Sequence, residues 1–336
     1  MNAVAVIEAS APARVDLAGG TLDLWPLHVL HRGSVTVNLA IDRRATCVVR
    51  RAERGVRLIG PDSGVDATSA SASDLRDDPR TALVAALVEE ILPDTPLEVE
   101  YRSGVPFGSG LGGSSALAVA VAGALSRLTG SSLERVELVR DVETRVLGKP
   151  AGVQDYYPAF AGALHCLWFE TGRTVPERLD VQPSDWEEHL TLFDTGASHS
   201  SGMNNWEVFR RRLEGDAAVT RSLDRIAAAA REMAEAAHEN DFPAMGRALA
   251  DEWAARRELA PVVSSPGIER AIAAARDAGA WGGKACGAGG GGCVVFLAPA
   301  DRTGPVREAL ARLDGGQVLA VRAEPRGLIC TSSVEN

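Results

Sequence analysis

Alternation of apolar and polar side chains at the strand period marks the first sixty residues. Residues 4–7 and 14–17 read as short strands around a Ser-Ala-Pro turn. Residues 34–41 and 45–51 read as two more, and 56–59 as a third candidate. The small, polar stretch 60–72 reads as a loop. A helical apolar period then runs over 80–92 and stops before Pro93. A strand over 97–101 and helices over 116–128 and 132–147 follow, the last ended by Gly148-Lys149-Pro150. Residues 163–169 and 190–193 read as strands. Beyond them the chain turns alanine-rich with a helical stripe over 205–214, 216–240, 243–259 and 265–278. A glycine run over 281–292, a buried-strand stretch 293–297, a helix over 305–313 and a strand over 317–322 complete the pattern. Strands gather early and helices in the middle, which predicts an α+β architecture rather than a doubly wound parallel sheet. The change of character near 182–188 predicts two domains, 1–185 and 186–336.

Composition narrows the class. With 336 residues, 46% hydrophobic and 24% charged, the chain can bury two cores. A net charge of −10 excludes a basic field for nucleic acid, while a local basic pocket for a phosphorylated ligand remains open. The first fourteen residues lack a basic region followed by an apolar core, and the longest apolar stretch, 116–125, is too short for a bilayer. These features predict a cytoplasmic protein with no membrane partner; a monomer or homodimer is expected. Its five scattered cysteines predict buried free thiols.

Chemistry concentrates in Pro106-Phe107-Gly108-Ser109-Gly110-Leu111-Gly112-Gly113-Ser114-Ser115-Ala116. Glycines between a strand and a helix let backbone N–H groups turn toward an anion, and the helix start adds its own free N–H groups and positive dipole end. Ser114 and Ser115 can add hydrogen bonds or a magnesium ligand; alternatively they only cap the helix. The run contains a GxGxxG match, but it lacks an N-terminal βαβ context, and it lacks the lysine of a P-loop. A second GxGxxG match, within 287–292, leads into a strand rather than a helix. A dinucleotide-dependent oxidoreductase is disfavoured on both counts.

Four further segments accompany this cradle in order: Pro12 to Pro26, which contains Arg14-Val15-Asp16-Leu17-Ala18-Gly19-Gly20-Thr21-Leu22-Asp23, the stretch from Glu143 to Asp155, the stretch from Phe193 to Gly202, and Lys284-Ala-Cys-Gly287-Ala-Gly289-Gly-Gly-Gly292. The set resembles the GHMP kinases over nearly the whole chain. Residues 106–116 are close to that family's Pro-x-x-x-Gly-Leu-Gly-Ser-Ser-Ala signature, and 284–292 to its Lys-x-x-Gly-Ala-Gly-Gly-Gly-Gly run. The resemblance implies a ribosomal protein S5 domain 2-like N-terminal domain and a ferredoxin-like C-terminal domain, with the active site between them. It also implies ATP and Mg²⁺.

By that resemblance, residues 106 and 108–115 bind ATP, Ser114 and Glu143 hold magnesium, and Asp155 orients or takes the proton of the acceptor hydroxyl. Arg14 matches a basic residue that lies beside this aspartate, where it keeps the carboxylate ionised. A purely structural Arg14–Asp155 pair and a solvated Glu143 are the plainer alternatives. Asp23 is the candidate for accepting hydrogen bonds from sugar hydroxyls, within a substrate loop that includes Gly19, Gly20 and Thr21; otherwise it is a turn residue. Gly287 and Gly289 are expected to bring backbone close to substrate and nucleotide. His199 is a candidate for a substrate phosphate or a surface histidine.

The loop Gly19-Gly20-Thr21-Leu22-Asp23 separates this chain from galactokinases and mevalonate kinases, which carry Gly-Glu-His there. It is similar to the Ala-Gly-Gly-Gly-Thr-Asp-Leu-Pro pattern of D-glycero-D-manno-heptose 7-phosphate kinases and related sugar-1-kinases. Thr21-Leu22 in place of Gly-Thr is a departure beside the sugar contact. The expected activity is transfer of the γ-phosphate of ATP to a sugar or sugar-phosphate hydroxyl, the anomeric one. A mevalonate- or galactose-like acceptor, or an inactive binding protein of the same fold, are the alternatives.

Overall fold

A computed structural model describes residues 4–133, 136–197 and 201–335. The strand pairs expected at the start of the chain are two long strands, β1 (Val4–Ala18) and β2 (Val35–Arg51), lying antiparallel. The prediction of four short strands fails at a bulge. The ladder slips between Pro12 and Ala13, where Asp42 and Arg43 have no partner across the strand. Proline is tolerated at a bulge because no ladder N–H is needed there. Before it, Ile7, Ala9 and Ala11 face one core with Ala45, Cys47 and Val49. Beyond it, Ala13, Val15 and Leu17 face a second core with Val35, Val37 and Leu39. The bend therefore sends one pair of strands into both cores.

The remaining strands are β3 (Val56–Gly60), β4 (Val65–Ser69), β5 (Leu97–Arg102), β6 (Leu164–Glu170), β7 (Arg173–Leu179), β8 (Leu190–Asp194), β9 (Gly282–Ala285), β10 (Cys293–Leu297), β11 (Gln317–Leu319) and β12 (Ile329–Glu335). The first sheet runs β12-β1-β2-β5-β3-β4, with β6 also on β2 and β7 on β6. Among the described residues, only β3 and β5 pair in parallel within it. The second sheet is antiparallel, β11-β8-β10-β9. β4 occupies part of the expected loop 60–72, and the chain's end returns to the first sheet as β12.

The helices are α1 (Leu27–Leu30), α2 (Ala82–Ile91), α3 (Gly113–Leu128), α4 (Val136–Leu147), α5 (Tyr156–Ala161), α6 (Pro183–His189), α7 (Ser201–Leu213), α8 (Ala217–Glu239), α9 (Phe242–Arg256), α10 (Pro266–Asp277) and α11 (Ala300–Ala311). α3 is rich in Ala and Gly and almost wholly buried, so its backbone lies close on β1 and β2. α8 and α9 pack against each other, and their buried residues join those of β1, β2, β8 and β10 in the second core. Both sheets thus share apolar packing, the dominant favourable term in folding. Among the described residues, no helix is long and apolar enough to cross a membrane. All five cysteines are free thiols; Cys330 is half-buried and the other four are buried.

Candidate active site

The glycine loop and α3 form one continuous turn. Gly108, Gly110 and Gly112 have φ of +72°, +77° and +69°, the alternation that builds an anion-binding concavity of backbone N–H groups. Gly112 is the N-cap of α3. A Cβ placed on it would lie 3.3 Å from Asp155 Oδ2 and 3.4 Å from the Arg14 side chain. The catalytic candidates therefore stand directly over the helix start. Arg14 Nε donates to Asp155 Oδ1 at 2.8 Å, Nη2 lies 2.6 Å from the same oxygen, and Nη1 donates to the Gly110 carbonyl at 2.6 Å. One buried guanidinium thus ties the carboxylate to the loop. Burial opposes its charge, but the Asp155 and Asp16 carboxylates outweigh that and raise its pKa.

Glu143, on α4, is buried beneath the same helix start. Its Oε2 accepts from Ser115 Oγ at 3.1 Å and from the Tyr156 hydroxyl. Desolvation raises its pKa, and the hydroxyls of Tyr156 and Ser114 offset this only in part. Glu143 forms no ion pair among the described residues; its partners are hydroxyls. A buried carboxylate faced by oxygen donors and short of positive charge suits a hard divalent cation, so Glu143 and Ser114 fit magnesium.

Asp23 sits in the loop between β1 and α1. Gln154 N–H donates to its Oδ2 at 3.1 Å. Gly152 leaves the space this carboxylate occupies, since a Cβ there would lie 1.8 Å from Oδ2. Burial, reinforced by the charges of Asp155 and Asp16, pushes its pKa up to about 6 despite the Gln154 bond. Asp23, Asp155 and Glu143 are thus gathered with Arg14 around the glycine loop.

The second glycine run backs that loop. A Cβ on Gly287 would lie 3.2 Å from Gly110 O, and Cys293 N–H donates to Ser109 O at 2.8 Å. Gly289 packs on the backbone of Val263. Ser198, His199 and Ser200 lie outside the described residues. A separate cavity of about 170 Å³, lined by Trp253, Arg257, Arg276 and Trp281 among others, contains none of these site residues.

Sequence reasoning assigned no role to a buried charge cluster beside the loop 19–23. Lys284 Nζ lies 2.9 Å from Asp16 Oδ2 and 3.7 Å from Glu252 Oε1, and Glu252 pairs with Arg256 at 2.6 Å. Burial raises the Asp16 pKa, but Lys284, Arg256 and Arg14 outweigh it and hold it low. Lys284 and Asp16 stood inside quoted motifs. Glu252 and Arg256 carried no signal, because an i,i+4 pair on an alanine-rich helix reads equally as a solvated face.

Comparison with known proteins fits this geometry. The family model "GHMP kinases N terminal domain" matches residues 80–163, and "GHMP kinases C terminal" matches 233–314. A D-glycero-alpha-D-manno-heptose 7-phosphate kinase of Campylobacter jejuni is 27% identical over 322 residues, 92% of this chain and 94% of that protein. A mevalonate kinase of Thermococcus sibiricus is 30% identical over 345 residues, 95% and 97% of the two chains. The crystal structure of a D-glycero-D-manno-heptose 1-phosphate kinase from Bacteroides thetaiotaomicron superposes with a TM-score of 0.77 at 22% identity, covering 97% of this chain and 98% of that one. Fold and matches define an ATP-dependent phosphotransferase of two-domain α+β architecture. The chain belongs to the GHMP kinases.

Proposed function

We propose that this GHMP kinase transfers the γ-phosphoryl group of ATP to the anomeric hydroxyl of a sugar or sugar phosphate, of which a heptose 7-phosphate is the leading candidate. The observation that carries the reading is the placement of the Arg14-held carboxylate of Asp155 over the glycine-lined start of α3, with Asp23 beside it. The similarity to a heptose 7-phosphate kinase supports the acceptor class.

In this reading, the backbone N–H groups of residues 108–115 and the N-terminus of α3 hold the triphosphate. Asp155 accepts a hydrogen bond from the acceptor hydroxyl and takes its proton as the new P–O bond forms and the bond to ADP breaks. Arg14 occupies Oδ1, which leaves Oδ2 for the acceptor, and its fixed charge stabilises the emerging alkoxide. Asp23 accepts hydrogen bonds from neighbouring sugar hydroxyls and fixes which oxygen faces the phosphate. Ser114 and Glu143 would hold magnesium, which when bound neutralises charge on the phosphate oxygens. Dependence on ATP supports a cytoplasmic location for the reaction.

The test is a screen of sugars, sugar phosphates and mevalonate for acceptor-dependent ATP consumption, with phosphorus NMR of the product. A sugar 1-phosphate product is expected. Turnover with mevalonate and no sugar would overturn the acceptor assignment.

A further inference from the structure

The acceptor loop follows strand β1 of the first sheet, yet it is held by a side chain from the far half of the chain. Arg256, on α9 and 2% exposed, donates through Nη2 to the Gly20 carbonyl at 2.7 Å and through Nη1 to Thr21 Oγ1 at 3.3 Å. Its other face is fixed one turn earlier, where Nε and Nη2 donate to Glu252 Oε1 at 2.9 and 2.6 Å. Glu252 is fully buried, as is Lys284, which also donates to the Asp16 carbonyl at 3.1 Å.

Stability alone gives little reason for this arrangement. Buried ion pairs lose most of their Coulombic gain to desolvation, and apolar residues of similar volume would pack as well. What the charges add is direction: they aim a rigid guanidinium fork at two adjacent loop groups. The loop needs holding. Thr21 is β-branched and has φ of +78°, a backbone conformation such residues adopt only where the surroundings impose it. Thr21 stands two residues before Asp23.

We infer that Arg256 is a positioning residue for the acceptor loop, setting through Gly20 and Thr21 where Asp23 meets the acceptor. The inference rests on Asp23 being the acceptor contact. α9 thereby couples docking of the second sheet's helices to completion of the acceptor site.

Arg256→Lys tests it, since the shorter, single-point donor keeps the charge but cannot span both groups. Acceptor KM is expected to rise about tenfold or more while ATP KM stays within about twofold. Hydrogen exchange of peptides covering 19–24 should quicken. The double variant Glu252→Met/Arg256→Met removes the charges together. It should keep a melting temperature close to wild type and show the same acceptor defect and faster exchange. A merely structural role would instead lower the melting temperature and the active fraction with both KM values unchanged, and would overturn the inference. So would unchanged exchange at 19–24 in both variants. Should neither fold, Thr21→Ala removes the hydroxyl from the loop side; it should raise acceptor KM, and an unchanged acceptor KM would count against Arg256. A wild type inactive on every sugar would sink the acceptor reading, while the exchange data would still decide whether Arg256 holds the loop.

Discussion

Asp23→Asn should make the protein more stable and the enzyme worse. The Asp23 carboxyl is buried, and its pKa rises from 3.8 to about 6 on folding. The folded state therefore binds this proton more tightly than the unfolded chain does. Stability from this group is fully present below pH 3.8 and is lost as pH rises through about 6. A shift of that size corresponds to about 3 kcal/mol, the cost of keeping the carboxylate ionised in the fold at pH 7.5. Asparagine removes that cost without changing shape, and its oxygen can still accept the Gln154 N–H bond. A chain of this length should gain about 5 °C in Tm at pH 7.5, and the gain should shrink as the pH is lowered toward 4. The acceptor loses its charged partner. Hydrogen bonds to a charged group are worth about 1.5–3 kcal/mol, so kcat/KM for the sugar should fall about 10- to 100-fold. ATP KM should not move. In the wild type, kcat/KM for the acceptor should decline below pH about 6 as Asp23 takes its proton. Thermal melts from pH 4.5 to 8 and initial rates across the same range measure both arms. A variant that melts at or below wild type at pH 7.5, or that keeps acceptor kcat/KM within about twofold, refutes the reasoning.

Two further outcomes follow from the same geometry. Glu143→Gln removes an anion but keeps an oxygen for Tyr156 and Ser115; a magnesium titration of activity should show affinity reduced about tenfold or more, while Tm without magnesium rises. Gly112→Ala forces a residue with a side chain to φ +69°, at about 1–2 kcal/mol. It also presses on Asp155 and Arg14, so kcat should fall about 100-fold, and steady-state rates beside a denaturation curve separate the two effects.

What the sequence revealed, it revealed through local chemistry. Gly108, Gly110, Gly112 and the helix after them are legible because a run of unbranched backbone before a helix has few uses other than to approach an anion closely. Asp155, Arg14 and Glu143 became candidates through resemblance, since no spacing rule joins residues 14, 143 and 155. Long-range pairing stayed hidden. β1 and β2 read as four strands because Pro12 and the extra residues Asp42 and Arg43 break the local period without breaking the sheet. β7 lies at an edge, carries Pro176 and alternates weakly, so nothing in 173–179 announces a strand. Arg256 shows the limit most clearly. Its sequence neighbourhood is that of a solvated helix face, and its burial follows from how α9 meets the loop 19–23.

In the proposed mechanism Asp155 acts on the acceptor, set against a triphosphate held by the loop around Gly112. Its most direct test is Asp155→Asn, with turnover and ATP binding measured on the same preparation. Asparagine can still accept the Arg14 bonds but cannot take a proton. A kcat reduced about 10²- to 10⁴-fold with ATP affinity unchanged is the predicted result. Wild-type turnover in that variant would remove Asp155 from the proton transfer.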